Sequence, residues 1–141
     1  MKRSGKRGMI LIGMLIILTG AVVMLREYFR TPSGMTELKP YWMGTVAELA
    51  RKFRDDEQQA NSQFLGRILE VKGIVDNVSS EGDSIFNVTL GFGEAGNISC
   101  TMNPSQNSEV RKLRSGDTVS VRGECAGFLA DVELNRCELI K

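Results

Sequence analysis

Apolar and polar residues alternate over much of the second half of the chain, with the two-residue period of half-buried β-strands. The alternation occupies five segments, residues 69–75, 86–92, 98–102, 118–125 and 132–139. Residues 127–131 supply a turn between the last two segments. Asn103 and Pro104 place a capping residue before a proline, which predicts a short helix between the third and fourth segments. Apolar residues occupy even-numbered positions before Asn135 and odd-numbered positions after Arg136, so a β-bulge is expected there.

Two glycines interrupt apolar positions of these strands, Gly73 in the first and Gly123 in the fourth. A central glycine allows a long first strand to coil sharply enough to serve both sides of a small barrel. Three strands, a helix and two strands, in that order, are typical of an OB-fold, a five-stranded Greek-key barrel. We therefore predict a mainly β protein with an OB-fold over residues 64–141. An SH3-like barrel is the alternative, and it lacks the helix between strands three and four.

Before the strands, the apolar residues of 45–63 have the spacing of an amphipathic helix. Thr45 and Glu48 form a capping-box pattern, in which a hydroxyl residue is followed three positions later by an acid. The apolar residues that follow lie on one helical face. We expect an amphipathic helix packed on the barrel by this face, with a partner-binding helix as the alternative. Residues 30–44 are expected to form a polar linker, from which Trp42 packs on the domain or touches lipid.

The N-terminal segment shows no alternation. Residues 1–8 form a basic tail, and the seventeen residues of 9–25 contain no charge. With Tyr28 and Phe29 at the headgroup level, residues 9–29 are predicted to be a transmembrane signal anchor. The positive-inside rule places the tail in the cytoplasm and the folded domain outside it. The chain would then be a single-pass inner-membrane protein, and a cleaved signal peptide is the alternative.

The composition limits the chemistry that the chain can perform. It contains no histidine, the residue that most often serves as general base and metal ligand. Its three cysteines, Cys100, Cys125 and Cys137, have no CxxC spacing and are a poor match to a zinc site. The carboxylates cluster at turns, and no pair has a spacing that requires acid–base catalysis. The sequence therefore predicts that the protein is not an enzyme and holds no metal or cofactor.

The three cysteines fall at apolar positions of the predicted strands, as expected of small buried residues. Two interpretations stay open. All three are free thiols in the core, or, in an oxidising compartment, Cys125 and Cys137 form a disulfide across the last hairpin and leave Cys100 free.

The OB-fold binds ligands on the face of its second and third strands. The outward residues there are polar and uncharged, and they form the candidate ligand face: Asn87, Thr89, Asn97, Ser99 and Thr101. Single-strand binding normally needs aromatic platforms and a basic groove. Residues 64–141 instead carry eight Lys or Arg against eleven Asp or Glu. The local basic cluster of Arg111, Lys112 and Arg114 is interpreted as a solvated helix end, with contact to anionic headgroups or polymers as the alternative.

Several motifs resemble the bacterial tRNA-anti-like OB-fold family. The resemblance covers about residues 45–141 and is strongest in the pattern LxxGDxVxVxGxCxG, from Leu113 to Gly127, and in DVxLxxC, from Asp131 to Cys137. It implies a small envelope protein with a lipoprotein signal or a single anchor, and this chain lacks the lipoprotein cysteine. We predict a membrane-anchored OB-fold binding module whose partner is a protein or an envelope component. Nucleic acid is the alternative ligand, and the sequence carries no signal for an oligomeric state.

Overall fold

The structure is a computed structural model that describes most of the chain, residues 4–28, 34–91 and 96–141. The chain divides into two units, Met1–Pro32 and Ser33–Lys141. Parts of the predicted segments lie outside the described residues: 1–3 of the basic tail, Phe29 of the anchor, 30–33 of the linker, and Phe92 at the end of the second alternating segment.

The first unit contains one helix, α1, from Ser4 to Tyr28. Its large apolar side chains between Ile12 and Leu25 are exposed. Measured over the residues that the structure describes, no helix combines the length and the hydropathy that a bilayer crossing requires.

In the second unit, the residues before the barrel are more ordered than the sequence predicts. The predicted linker of 30–44 contains a 3-10 helix at Met35–Glu37 and a strand, β1, at Trp42–Thr45. β1 runs parallel to the first half of β2 (Ile68–Glu81), with Trp42 opposite Leu69. The linker prediction was wrong here because pairing with an available strand edge overrides the preference of Pro and Gly for irregular chain.

Two helices replace the single helix predicted over 45–63: α2 (Val46–Asp55) and α3 (Glu57–Phe64). Asp56 separates them because its extended backbone ends α2 and its carboxylate accepts a hydrogen bond from the main-chain nitrogen of Gln59, which caps α3. The predicted capping box of Thr45 and Glu48 is confirmed by both of its hydrogen bonds. The apolar face is buried as predicted, through Val46, Leu49, Ala50, Phe53, Ala60 and Phe64. Trp42 packs edge-on against Phe64, with 5.8 Å between the ring centroids.

The barrel is built from β2 and four further strands, β3 (Ile85–Leu90), β4 (Ile98–Met102), β5 (Thr118–Phe128) and β6 (Val132–Ile140). The strand order β2-β3-β4-β6-β5 closes through a pairing of β5 with β2, so each barrel strand has a neighbour on both sides. Only the β4–β6 pair is parallel within this ring. β2 continues to Glu81, so only residues 82–84 turn the chain into β3.

A short helix connects β4 to β5, as the sequence predicts. Asn103 accepts a hydrogen bond from the main-chain nitrogen of Ser105, and Pro104 follows at the first position of a 3-10 helix. The helix α4 (Asn107–Val110) continues it. Together with the closed five-stranded barrel, this connection gives the order of the OB-fold rather than that of an SH3-like barrel.

The core lies inside the barrel and beneath α2 and α3. Its members are inward apolar residues of the five strands and of α2, α3 and α4, and each large side chain among them contributes about 1.5–3 kcal/mol when fully buried. Gly73 leaves room for α2, since a Cβ atom at this position would lie 2.4 Å from Cγ2 of Val46. The predicted bulge is confirmed: Arg136 has a positive φ of 53°, and the pairing of β4 with β6 shifts by one residue at this point.

Candidate ligand-binding face

Four of the five residues predicted to form a ligand face lie together on β3 and β4. Asn87 stands opposite Thr101, and Thr89 stands opposite Ser99. All four are half-buried, whereas the residues between them on both strands are buried. The Thr101 hydroxyl donates a hydrogen bond to the side-chain oxygen of Asn87 over 3.0 Å. Because strand side chains alternate between faces, these four side chains share the outer surface of the barrel.

Asn97, the fifth predicted residue, lies at the end of this group beside Gly91. Its side-chain oxygen is buried, has no hydrogen-bond partner among the described residues, and lies 2.9 Å from the position that a Cβ atom at Gly91 would take. Its main-chain carbonyl accepts a hydrogen bond from the nitrogen of Val132 over 3.3 Å. Asn97 therefore joins the start of β4 to the start of β6 and does not present this oxygen to a ligand.

Two residues of β2 extend the face, and the alternation of apolar residues does not predict either. Asn77 lies opposite Thr89 and Ser79 opposite Asn87, and both are exposed. The register of β2 shifts between Val75 and Asn77, which turns Asn77 outward. The three-residue spacing between the apolar residues Val75 and Val78 is the local signal of this shift. We call the six residues the polar face: Asn77, Ser79, Asn87, Thr89, Ser99 and Thr101.

The polar face contains neither a cation nor an aromatic ring. Glu133 on β6 adjoins it, opposite Ser99. The predicted basic cluster is engaged elsewhere: the guanidinium of Arg111 lies 5.2 Å from the ring centroid of Phe86 and donates to the carbonyl of Asp83. Lys112 pairs with Glu109 at the surface, over 3.0 Å. The six side chains of the face therefore offer hydroxyl and amide groups and carry no charge of their own.

A separate cleft of about 480 Å³ lies between the connection from β4 to β5, the start of β5 and the end of β6. Its lining mixes apolar residues with hydroxyls and opposite charges: Lys72, Ser105, Gln106, Glu109, Thr118, Val119, Ser120, Leu139, Ile140 and Lys141. It shares no residue with the polar face. Gln106 already accepts a hydrogen bond there from the main-chain nitrogen of Leu139 over 2.7 Å.

All three cysteines are free and buried. Cys125 lies opposite Leu134, so the structure does not make Cys125 and Cys137 the cross-strand partners that the predicted disulfide requires. Burial raises the pKa of the Cys125 thiol. Burial, together with the neighbouring Cys100 thiol, raises the pKa of Cys137. Neither of these two thiols is therefore an activated nucleophile in the folded barrel.

Solved structures share the fold of this chain at low sequence identity. A proposed nucleic acid-binding lipoprotein from Klebsiella pneumoniae subsp. pneumoniae has a TM-score of 0.60 and 18% identity, covering 70% of this chain and 91% of that chain. A proposed aspartyl-tRNA synthetase from Leishmania major Friedlin has a TM-score of 0.50 and 11% identity, covering 87% of this chain and 26% of that chain. Comparison with curated proteins gives no match.

The sequence also matches a family model, named tRNA_anti-like, over residues 6–139. This match spans the closed barrel, the helices packed on it and most of α1. It agrees with the resemblance found in the motifs around Gly123 and Cys137. The chain belongs to the tRNA_anti-like family.

Proposed function

We propose that the protein is a binding module without catalytic activity, and that its ligand lies across the polar face. One observation carries the proposal: hydroxyl and amide side chains of three adjacent strands stand in register on the surface where OB-folds hold their ligands. These groups can donate and accept hydrogen bonds but supply no net charge. Their pairing across strands holds them in fixed positions, as in the hydrogen bond from Thr101 to Asn87.

The ligand that fits this surface best is a protein segment or another polar component of the cell envelope. A phosphate chain would meet no cation on the face and would approach the carboxylate of Glu133. Residues 64–141 also carry more acidic than basic side chains, and this net negative charge would repel a phosphate chain at longer range. Neither the Glu133 carboxylate nor this net charge would repel a polar, uncharged partner.

Single-stranded nucleic acid is the second candidate ligand. The nucleic acid-binding lipoprotein proposed from Klebsiella pneumoniae favours it through the shared fold. Hydroxyl and amide groups also occur among protein contacts to phosphate and bases. Against this candidate stand the missing cations and aromatic rings of the polar face, because stacking and backbone charge supply most of the affinity in sequence-tolerant binders.

Salt dependence separates the two ligand classes. We would titrate the full-length chain into fluorescent single-stranded DNA and RNA and measure anisotropy between about 50 and 200 mM salt. Nucleic-acid binding predicts a measurable affinity that falls steeply with salt as counterions are released. If the ligand is an envelope component, the chain should bind these oligonucleotides weakly or not at all, and Thr89→Ala should leave that binding unchanged. Tight binding that Thr89→Ala weakens would establish the second candidate instead.

A photocrosslinker placed on the face tests the first candidate in bacterial cells. A photoreactive amino acid at Thr89 should give a discrete adduct that survives nuclease treatment and is lost when Ser99→Arg blocks the surface. The matched control carries the same amino acid at Gln58, which is exposed on α3 and lines neither the polar face nor the separate cleft. The same adducts from both positions, or an adduct that nuclease removes, would contradict the proposed ligand class.

We also propose that residues 9–29 anchor the domain in the inner membrane with the N-terminus in the cytoplasm. The uncharged run of 9–25 supports this, as do the basic residues before it and the exposed apolar side chains of α1. A reporter that is active only outside the cytoplasm, fused after Lys141, should be active in the membrane fraction. Activity in the soluble fraction would mean cleavage, and silence in the membrane fraction would place the barrel in the cytoplasm.

A further inference from the structure

Two of the three thiols meet inside the barrel. Cys100 lies in β4 and Cys137 in β6, strands that are parallel neighbours, and both side chains have no exposed surface. Cys100 precedes the Met102–Cys137 pair by two residues, so the two inward side chains are diagonal neighbours, and the Cys100 thiol is close enough to help raise the pKa of Cys137. They belong to distant parts of the sequence, and the closure of the barrel brings them together.

The β-bulge in β6 places Cys137 beside Cys100. Cys100 is paired with Leu134 and Met102 with Cys137, so the bulge at 135–136 occurs between these two pairs. Without it, the side chain of residue 137 would fall on the outer face of the barrel, because a one-residue shift in register exchanges the two faces of a strand. The bulge therefore turns the thiol back into the core.

Gly123 supplies the space that the Cys137 thiol occupies. A Cβ atom at Gly123 on β5 would lie 2.5 Å from Sγ of Cys137. Cys137 therefore packs over Gly123 of β5, and Cys100 lies on its other neighbour strand, β4. Among the described residues, the Cys100 thiol is the side chain that raises the pKa of the Cys137 thiol, in addition to burial.

Cys125 lies two residues after Gly123 on β5. Its Cα is paired with Leu134, and its main chain is bonded on the other side to β2: its nitrogen donates to the carbonyl of Arg67 over 2.9 Å, and its carbonyl accepts from Gly66 over 2.8 Å. These bonds fix Cys125 away from the row that contains Gly123 and Cys137. Cys100 and Cys125 both lie opposite Leu134, but the Cys100 thiol is the one that raises the pKa of Cys137, whereas the main chain of Gly127, on the side of Cys125 away from Gly123, lowers the pKa of Cys125.

We propose that Cys100 and Cys137 are the disulfide-forming pair of this protein, and that Cys125 stays a free thiol. The two thiols lose two protons and two electrons as the S–S bond forms. A small-molecule or protein disulfide takes up the electrons, and its own S–S bond breaks to give two thiols. The inference concerns pairing alone and does not depend on the ligand of the polar face.

Burial determines when this bridge forms. No oxidant reaches the two sulfur atoms in the closed barrel, and the raised pKa of Cys137 keeps its thiol protonated and weakly nucleophilic. Oxidation is therefore expected while the barrel is still open, during folding. Once formed, the bridge would join strands β4 and β6 and restrict the unfolded chain, which stabilises the fold.

The test is oxidative refolding of the full-length chain in a mild detergent. Urea-unfolded protein is diluted into a glutathione redox buffer, the remaining thiols are blocked, and the disulfide is located by proteolysis and mass spectrometry. We expect one bridge, Cys100–Cys137, with Cys125 blocked. The melting temperature of this product should exceed that of the reduced protein by about 10 °C. The same buffer added to folded, reduced protein should give little bridge over the same time.

Cys125→Ala and Cys100→Ala are matched control variants. Cys125→Ala should form the bridge as the parent does, and Cys100→Ala should keep two free thiols. The mapping on the unsubstituted chain decides the result even if a variant fails to fold. Mapping that finds Cys125 in the bridge, or three blocked thiols after refolding, would overturn the proposal.

Discussion

The guanidinium of Arg122 donates two hydrogen bonds to one carboxylate oxygen of Glu70, from Nε over 3.1 Å and from a terminal nitrogen over 2.5 Å. The two residues are opposite each other on β5 and β2, and each side chain is only 13% exposed. The other terminal nitrogen donates to the main-chain carbonyls of three residues before the barrel, Met35, Thr36 and Leu38. One side chain therefore fastens this segment to two strands.

Glu138 provides a second attachment for the same segment. It is only 4% exposed, and its carboxylate accepts hydrogen bonds from the main-chain nitrogen of Thr36 over 3.1 Å and from the side chain of Asn103 over 2.9 Å. Gly34 lies against it, since a Cβ atom there would be 2.9 Å from the carboxylate. The alternation of β5 and β6 shows that Arg122 and Glu138 point outward, but it gives no sign that residues 34–38 cover them.

Arg122→Ala should destabilise the domain by about 3 kcal/mol, because it leaves the largely buried Glu70 carboxylate and two or three carbonyls without their donor. The measurement is urea unfolding followed by the fluorescence of Trp42, the only tryptophan of the chain. Arg136→Ala is the control: its ion pair with Glu124 is exposed, so its loss should cost less than about 1 kcal/mol. Equal effects of the two substitutions would show that the Arg122 contacts do not hold the segment.

The capping box of α2 should make stability depend on acid pH through Glu48. Hydrogen bonds from the main chain and side chain of Thr45 lower the pKa of Glu48 below its usual 4.5. A lowered folded-state pKa contributes stability above the unfolded value, and this is lost as the pH falls through the folded value. The stability difference between the parent and Glu48→Gln should therefore be largest near neutral pH and shrink below pH 4.5. Urea midpoints at a series of pH values measure it.

Gln58→Ala is a suitable control for this pH series. Gln58 is exposed on α3 and cannot ionise, so its stability difference from the parent should be the same at every pH. A parallel pH dependence in both variants would mean that the acid effect does not come from Glu48.

Asp56 should matter as the N-cap of α3. Asp56→Ala removes the acceptor for the main-chain nitrogen of Gln59, 2.9 Å away, and should cost about 1 kcal/mol. Asp56→Asn keeps an acceptor oxygen and should lie close to the parent. The same urea experiment ranks the three proteins, and an alanine variant as stable as the parent would indicate that α2 and α3 can join into one helix.

The alternation of apolar residues was sufficient to predict the barrel because inward positions of a closed sheet must be apolar. It also identified the polar outer positions of β3 and β4, where the alternation is unbroken. It failed where the register shifts: Asn77 and Ser79 were missed because the extra residue after Val75 exchanges the faces of β2.

Features set by tertiary contact were beyond the reach of the local pattern. β1 forms because β2 offers it an edge, and Asp56 divides a stretch whose apolar spacing continues on both sides. The cysteine partners depend on which strands become neighbours when the barrel closes. The hairpin that holds Cys125 and Cys137 is local in sequence, whereas the pairing of β4 with β6, which brings Cys137 near Cys100, is not.

Gly123 should tolerate a side chain only when the Cys137 thiol is absent. In reduced protein, Gly123→Ala should cost about 1–3 kcal/mol, because the new methyl group would lie 2.5 Å from Sγ of Cys137 and one of them must move. In a Cys137→Ala background the cost should fall, although the carbonyl of Asn135 at 3.1 Å keeps it above zero. A double-mutant cycle from urea unfolding measures the coupling between the two positions. Additive effects would mean that Gly123 is needed for the coiling of β5 itself and not for the space it leaves to the thiol.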